Sequence, residues 1–524
     1  MTIQNSSLLY DMPTYGHLLV EGLQRSPDVT AFIQDDQEVS RSEAADIVGR
    51  FISVLRERGL GPGDTIAVLS PNRIEAVLVL FASAVMGLRY VPLHPLGGAD
   101  DHAFIVEDAE VSMLVFAPKF SERARMLTQR VPAIKHTLCL GRSDLCDDLL
   151  ALATTAMSSP LIPRASAESI GFLLYTGGTT GRPKGVLLSH RSMVTNTMIQ
   201  MGDWDLPRHP RFLVVTPVTH SALTWLVPIL LRGGTVVLQD GFTAQAFVEQ
   251  VQRHRISMSF VVPTMLYTLL DSPEIVTADL SSLEMLIYGA APASPTRLRE
   301  ALDRFGPILA QLYGQTEVPN TVTLLRREDH DPVHPERLTS CGRPCAGVIV
   351  ALLDAEGNEV PTGEVGELCV RSPLVMSGYW KRPEETTQVM RNNWLHTSDL
   401  ARRDAEGFLY LVDRAKDMII TGGFNVYPRE VEDVLLTHPA VFQAAVIGVP
   451  DEKWGEAVTA YIVLRAEHEI DVETLQAHVR LAKGPIHTPK HLHFVESLPL
   501  TGLGKLDKKT LRAGHWDGRE RAIN

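Results

Sequence analysis

Cysteine is scarce: five residues in 524, at Cys139, Cys146, Cys341, Cys345 and Cys369. They are too scattered for a disulfide framework, and none forms the CxxC pair of a structural zinc site, so reduced thiols are expected. Long hydrophobic runs are missing too. The apolar stretch Ala76 to Leu88 is too short to span a bilayer, and the opening MTIQNSSLLYD has neither the basic region nor the apolar core of a signal peptide. A cytoplasmic protein without integral membrane association is expected. Positive charge is outweighed, with 49 Lys and Arg against 62 Asp and Glu and a net charge of -13, which disfavours a nucleic-acid partner. No repeat or low-complexity tract is apparent.

What is present is apolar material in regular alternation. At 45% hydrophobic and 21% charged, the chain can bury more than one core. Phe212–Val215, Thr235–Leu238 and Ser259–Val262 read as short β-branched strands, with helical spacing between them. From Pro295 to Phe305, Leu298, Ala301, Leu302 and Phe305 fall at i, i+3, i+4 and i+7, which predicts a helix with Ser294 as N-cap. Strands alternating with helices imply an α/β fold with doubly wound, mostly parallel sheets, whose ligands bind beyond the carboxyl ends of the strands. Leu283–Tyr288 leads into Gly289-Ala-Ala-Pro292, and Ile308–Tyr313 into Gly314-Gln-Thr-Glu317, so both segments are expected to share a cleft. A boundary near Asp413 divides the chain into a large domain, 1–412, and a small α+β domain, 413–524, with a helix opened by Pro428.

The strongest chemical signal is Tyr175-Thr-Gly-Gly-Thr-Thr-Gly-Arg-Pro-Lys-Gly185, directly after the apolar Gly171–Leu174. Gly177, Gly178 and Gly181 allow backbone N–H groups to approach anionic oxygens. Thr176, Thr179 and Thr180 add hydroxyl donors, and Lys184 adds charge. In a Walker A loop the lysine follows the second glycine directly; here Arg182 and Pro183 intervene, and no GxGxxG is present. A phosphate-binding loop of another kind is expected.

The chain resembles the adenylate-forming superfamily of acyl- and aryl-CoA synthetases, firefly-type luciferases and peptide-synthetase adenylation domains. The resemblance rests on that loop and, in order, on Tyr313-Gly-Gln-Thr-Glu317, Gly363-Glu-Val-Gly-Glu-Leu368, Trp394-Leu-His-Thr-Ser-Asp399, Asp413-Arg-Ala-Lys-Asp417, Gly422-Gly-Phe-Asn-Val-Tyr-Pro428 and Gly502-Leu-Gly-Lys-Leu-Asp507. It implies an ATP- and Mg²⁺-dependent ligase that makes an acyl-adenylate and passes the acyl group to coenzyme A. Glu317 would hold the Mg²⁺, and Thr316 would contact phosphate. Tyr313 and the Gly289-Ala290-Ala291 segment would sandwich adenine, and Gly314 and Gln315 would belong to the same ATP site. Asp399 would accept the ribose hydroxyls beside Arg414, with Ser398 where glycine is usual. Lys505 would stabilise the adenylation transition state by charge. Lys416 would be the hinge, Gly422, Gly423 and Phe424 would line a pantetheine tunnel, and Trp454 would contact the CoA nucleotide.

His220, in Thr216-Pro-Val-Thr-His220, matches a histidine between the adenylate and acyl sites. Arg211 to Gln239 contains no Asp or Glu before Asp240, which disfavours an amino-acid substrate. Trp225 and Tyr288 suggest an apolar acyl pocket for an aryl, alicyclic or medium-chain acid. A stand-alone enzyme that loads an acyl carrier protein is the alternative. His487, His491 and His493 lack metal-site spacing and read as surface residues. A monomer or homodimer is expected.

Overall fold

The computed structural model describes residues 12–176, 182–414, 417–451, 453–465, 468–500 and 506–516. Among these residues the strands form four sheets. The first, of nine strands, runs Arg343–Pro344, Val318–Leu325, Leu309–Gln315, Met285–Gly289, Met258–Val261, Arg211–Val214, Thr235–Leu238, Thr30–Gln34, Gln37–Ser40. Its middle is parallel and its edges antiparallel. The second, of seven, runs Gly378–Tyr379, Lys184–Ser189, Ile170–Thr176, Arg89–Leu93, Thr65–Leu69, Met113–Phe116, His136–Cys139. This is the α/β architecture that the alternating pattern predicts, with a large N-terminal and a small C-terminal domain.

The run Ala76–Leu88 supplies the middle of the large domain. Helix Ile74–Met86 is buried at every residue but Glu75. A helix apolar on all sides is stable only when protein covers all of it. It shares one core with Phe172 and Leu174 of the seven-stranded sheet and with Phe212 and Val236 of the nine-stranded one. On the outer face of the nine-stranded sheet, Phe247, Leu266 and Leu298 from three helices cover Leu286 and Tyr288.

The helix Pro295–Phe305 appears with the predicted bounds, but the Ser294 side chain makes no cap hydrogen bond. Instead, the Ser294 backbone N–H donates to the Tyr267 hydroxyl, a tertiary partner that local spacing cannot reveal. All five cysteines are free thiols.

A third sheet contains Ile349–Leu353, Val365–Arg371, Trp394–Arg403 and Met390–Arg391, with Leu409–Arg414 also against Trp394–Arg403. The fourth belongs to the small domain. It contains Phe424–Val426, Ile419–Thr421, Gly455–Leu464, Val441–Asp451 and His491–Phe494, and is covered by helices Pro428–Leu436 and Val472–Lys483. Asp413, at the end of the third sheet, accepts from the backbone N–H of Arg429 in the first turn of Pro428–Leu436. An anion is favoured at that helix end.

Candidate active site

Leu309–Gln315 and Val318–Leu325 pair antiparallel with Gln315 opposite Val318, so Thr316 and Glu317 form the turn at the hairpin tip. Gly314 is required by the hairpin itself, since a Cβ there would lie 2.5 Å from the Asn320 nitrogen. Gly289 is similar: its Cβ would meet the Leu312 carbonyl oxygen at 2.6 Å. Both glycines therefore serve the sheet as well as any ligand. The chain then leaves the strand through Ala290, at φ +66°, and Ala290 and Ala291 stand half-exposed.

One end of this hairpin meets Asp399. The Tyr313 hydroxyl and the Gln315 Nε2 each donate to Asp399 Oδ2 at 2.6 Å, and Gln315 Nε2 lies 2.9 Å from the Thr397 carbonyl oxygen. Burial, then the Asp399 charge, holds the Tyr313 hydroxyl well above the ordinary tyrosine range, so it stays a donor. Asp399 pairs along the backbone with Arg414. Two donors on one oxygen still leave a carboxylate acceptor capacity for further hydroxyls.

The hairpin tip meets the second sheet. Tyr379 donates its hydroxyl to Glu317 Oε1 at 2.7 Å, and the Met376 N–H donates to the Glu317 carbonyl at 2.8 Å. Lys184 Nζ lies 5.6 Å from the centre of the Tyr379 ring and is paired with Glu385. Thr176 faces Lys184 across the antiparallel pair Ile170–Thr176 and Lys184–Ser189, so both stand at the base of the predicted phosphate loop. Gly177, Gly178, Thr179, Thr180 and Gly181 lie outside the described residues, as do Lys416 and Lys505.

His220 precedes the short turn Ser221–Trp225; its Nδ1 lies 3.0 Å from the Thr219 hydroxyl, and its ring is 6.1 Å from that of His94. Burial lowers the His94 pKa. Asn72 fastens the segment that carries His220. Its Oδ1 accepts from the Val218 N–H at 2.9 Å, and its Nδ2 donates to the carbonyls of Thr216 and Gln239 at 3.1 and 2.9 Å. The cavity beside it, lined by Val68, Tyr90, Val218 and Thr219 among others, has a volume of about 20 Å³, which suits a water and not an acyl chain.

The two aromatic residues expected in the acyl pocket are both fully buried. Trp225 packs edge-on against Trp204 at 5.0 Å in the central core. Tyr288 faces the outer helices, with its hydroxyl 3.2 Å from Gln311 Oε1 and 3.0 Å from His330 Nε2. Trp225 and Tyr288 thus belong to two different apolar cores. In the small domain, Gly422 and Trp454 do meet: Gly422 N–H donates to the Trp454 carbonyl at 2.8 Å, and a Cβ on Gly422 would lie 2.8 Å from the indole. Lys453 and Lys490 stand 4.9 and 5.5 Å from the centre of that ring. Gly423 follows at φ +82°, and Phe424 is exposed.

Tyr379 and Asn72 were not singled out from sequence. Asn72 follows the strand Thr65–Leu69 in a parallel sheet, where ligand-side polar residues are expected. Tyr379 carries no comparable local signal, because its partner is 62 residues away.

One hairpin thus reaches two carboxylates, bonding to Asp399 through Tyr313 and Gln315 and setting its own Glu317 against Tyr379. The chain belongs to the AMP-binding enzyme family: residues 19–380 match the family model, and residues 430–505 match that of the AMP-binding enzyme C-terminal domain. It is 45% identical over 534 residues, 99% of this chain and 93% of the relative, to the medium/long-chain-fatty-acid–CoA ligase FadD8 of Mycobacterium tuberculosis. It is 37% identical to a feruloyl-CoA synthase from an Amycolatopsis species, covering 94% of this chain and 97% of that one. Among solved structures, the amide bond synthetase McbA from Marinactinospora thermotolerans superposes with a TM-score of 0.88 at 36% identity, covering 95% of this chain and 99% of that one.

Proposed function

We propose that the chain joins a hydrophobic carboxylic acid, aryl, alicyclic or medium-chain, to coenzyme A in two steps at one site. It is an AMP-forming acid–thiol ligase. The substrate carboxylate attacks the α-phosphorus of ATP and pyrophosphate leaves. The CoA thiol then attacks the acyl carbonyl, loses its proton and displaces AMP. Neither step needs a protein nucleophile, so the chain's work is positioning and charge stabilisation.

One observation carries this reading: a single hairpin holds Tyr313 and Gln315 on Asp399 and, in the adjoining turn, sets Glu317 against Tyr379. On this reading the ribose acceptor Asp399 is braced by the same hairpin that carries the phosphate-side carboxylate Glu317. Glu317 suits Mg²⁺, a hard cation that takes carboxylate oxygens and neutralises phosphate charge when bound. Thr176 and Lys184 would face the phosphates from the second sheet. Lys505 would act from the small domain, which begins near Asp413 and turns about Lys416. Gly422, Phe424 and Trp454 would receive CoA, whose phosphates suit Lys453 and Lys490. The acyl group would lie beside His220. Among the described residues no helix is long and apolar enough to cross a membrane.

Pyrophosphate release from ATP and Mg²⁺ across benzoates, cinnamates, alicyclic acids and fatty acids tests the proposal, with CoA, a carrier protein bearing a free phosphopantetheine thiol, an amine or no acceptor. CoA-stimulated turnover with one acid class is expected. Stimulation by the carrier or the amine alone transfers the second step to that acceptor; the amine arm answers to the likeness to an amide bond synthetase.

A further inference from the structure

A carboxylate outside this constellation controls the segment that presents Asp399. Glu367 pairs with Leu400 and Cys369 with His396, so Thr397, Ser398 and Asp399 stand opposite Leu368 alone. Asp399 therefore sits on a bulge where the regular ladder is lost, and bulges beside active sites re-aim side chains. Ser398, in the middle of it, has φ +61°, in the left-handed region that favours glycine.

Side chains replace the missing ladder bonds. Glu367 Oε1 accepts from the Ser398 backbone N–H at 3.0 Å, and its Oε2 accepts from His396 Nδ1 at 2.7 Å. Arg391 lies 3.4 Å from that Oε2. The Thr397 hydroxyl donates to the Leu368 carbonyl at 2.6 Å and accepts from the Asp399 N–H at 3.1 Å. Glu367 thus holds His396 and Ser398, the Leu368 carbonyl holds Thr397, and Thr397 holds Asp399.

We propose that Glu367 is a positioning residue for the nucleotide: its carboxylate spans the bulge and fixes the direction in which Asp399 meets the ribose. This rests on the reading of Asp399 as the ribose acceptor. His396 orients Glu367 in turn. Cys369 Sγ lies 3.3 Å from the same His396 nitrogen, which gathers three metal-ligating residue types. Burial pushes the Cys369 thiol up to about 12, and His396 Nδ1 already bonds to the carboxylate, so the cluster works as a hydrogen-bonded brace.

The test compares ATP with 2′,3′-dideoxy-ATP in pyrophosphate release, since only the former offers hydroxyls to Asp399. Glu367→Ala is expected to cut kcat/KM for ATP about tenfold and to leave the dideoxy rate within about twofold, collapsing the discrimination. Adding Ser398→Gly, which removes the need to hold a Cβ residue at positive φ, is expected to restore much of it. Glu367→Gln, which keeps an acceptor for Ser398, is expected to fall between and substitutes for the alanine variant if that does not melt cooperatively. Equal loss on both nucleotides, or a collapse in the unaltered enzyme on adding the zinc chelator phenanthroline in Mg²⁺ buffer, overturns the proposal. Asp399→Asn separates the two readings: discrimination that survives this change removes the ribose assignment itself, whereas discrimination lost there but kept in Glu367→Ala removes only the role of Glu367.

Discussion

Around Asp399 the polar side chains of the large domain are buried and bonded to one another, whereas around Trp454 the small domain leaves aromatic surface open. Asp399 and Tyr313 are 7% and 8% exposed, Trp454 and Phe424 39% and 57%. Buried polar groups persist only when satisfied, and once satisfied they cost no reorganisation when charge develops nearby. Exposed rings beside cations have no such pre-arrangement and gain from being covered. On the proposed reading, the first region would recognise the nucleotide and the second would receive the co-substrate that arrives later.

Substitutions in the two regions should therefore separate the half-reactions. Lys505→Ala tests the contrast most severely. It is expected to slow acid-dependent pyrophosphate release by about 10²- to 10³-fold, in line with loss of one transition-state donor, and to spare thioester formation from supplied acyl-adenylate. Equal loss in both assays would erase the division. Tyr313→Phe removes one donor from buried Asp399 and should raise the KM for ATP about tenfold at unchanged KM for CoA. Trp454→Ala is the reciprocal case: about a fivefold rise in the KM for CoA, a modest stacking and cation contribution, with acid-dependent ATP–pyrophosphate exchange unchanged.

Tyr288 should affect turnover least. Tyr288→Phe is expected to lower stability by about 1–3 kcal/mol by leaving Gln311 and His330 short of a partner, with the acid preference unchanged. A changed acid preference would return Tyr288 to the acyl pocket. Its partner His330 predicts a pH effect. Burial lowers its pKa from 6.5 to about 4, so the unfolded chain takes up a proton first as pH falls. The stability this histidine contributes is complete above pH 6.5 and declines towards pH 4, by about 1.4 kcal/mol per unit. Thermal melting of His330→Gln should show a shallower decline over that window.

Legibility in the sequence followed the range of the interactions. Thr235–Leu238 and Pro295–Phe305 were readable because β-branched runs and 3.6-residue spacing are local, and both appear with the expected bounds. The hairpin tip Thr316–Glu317 and the Asp399 strand were readable through the motifs of a resembled family. The orientation of Tyr288 was not: Met285–Gly289 is buried on both faces, so alternation carries no sign of which side meets a ligand. Glu367 lies in the motif Gly363–Leu368, but the motif says nothing of its partners: His396 and Ser398 are 29 and 31 residues away, in a bulge that exists only once two strands pair.

The buried helix Ile74–Met86 also constrains how the protein is made. Phe212 and Val236, which help to enclose it, lie about 130 to 160 residues further along the chain. At about 5–20 residues per second, the ribosome leaves that apolar rod waiting on the order of ten seconds for its cover. Until that cover is made, the exposed apolar rod is a surface on which a nascent chain can aggregate.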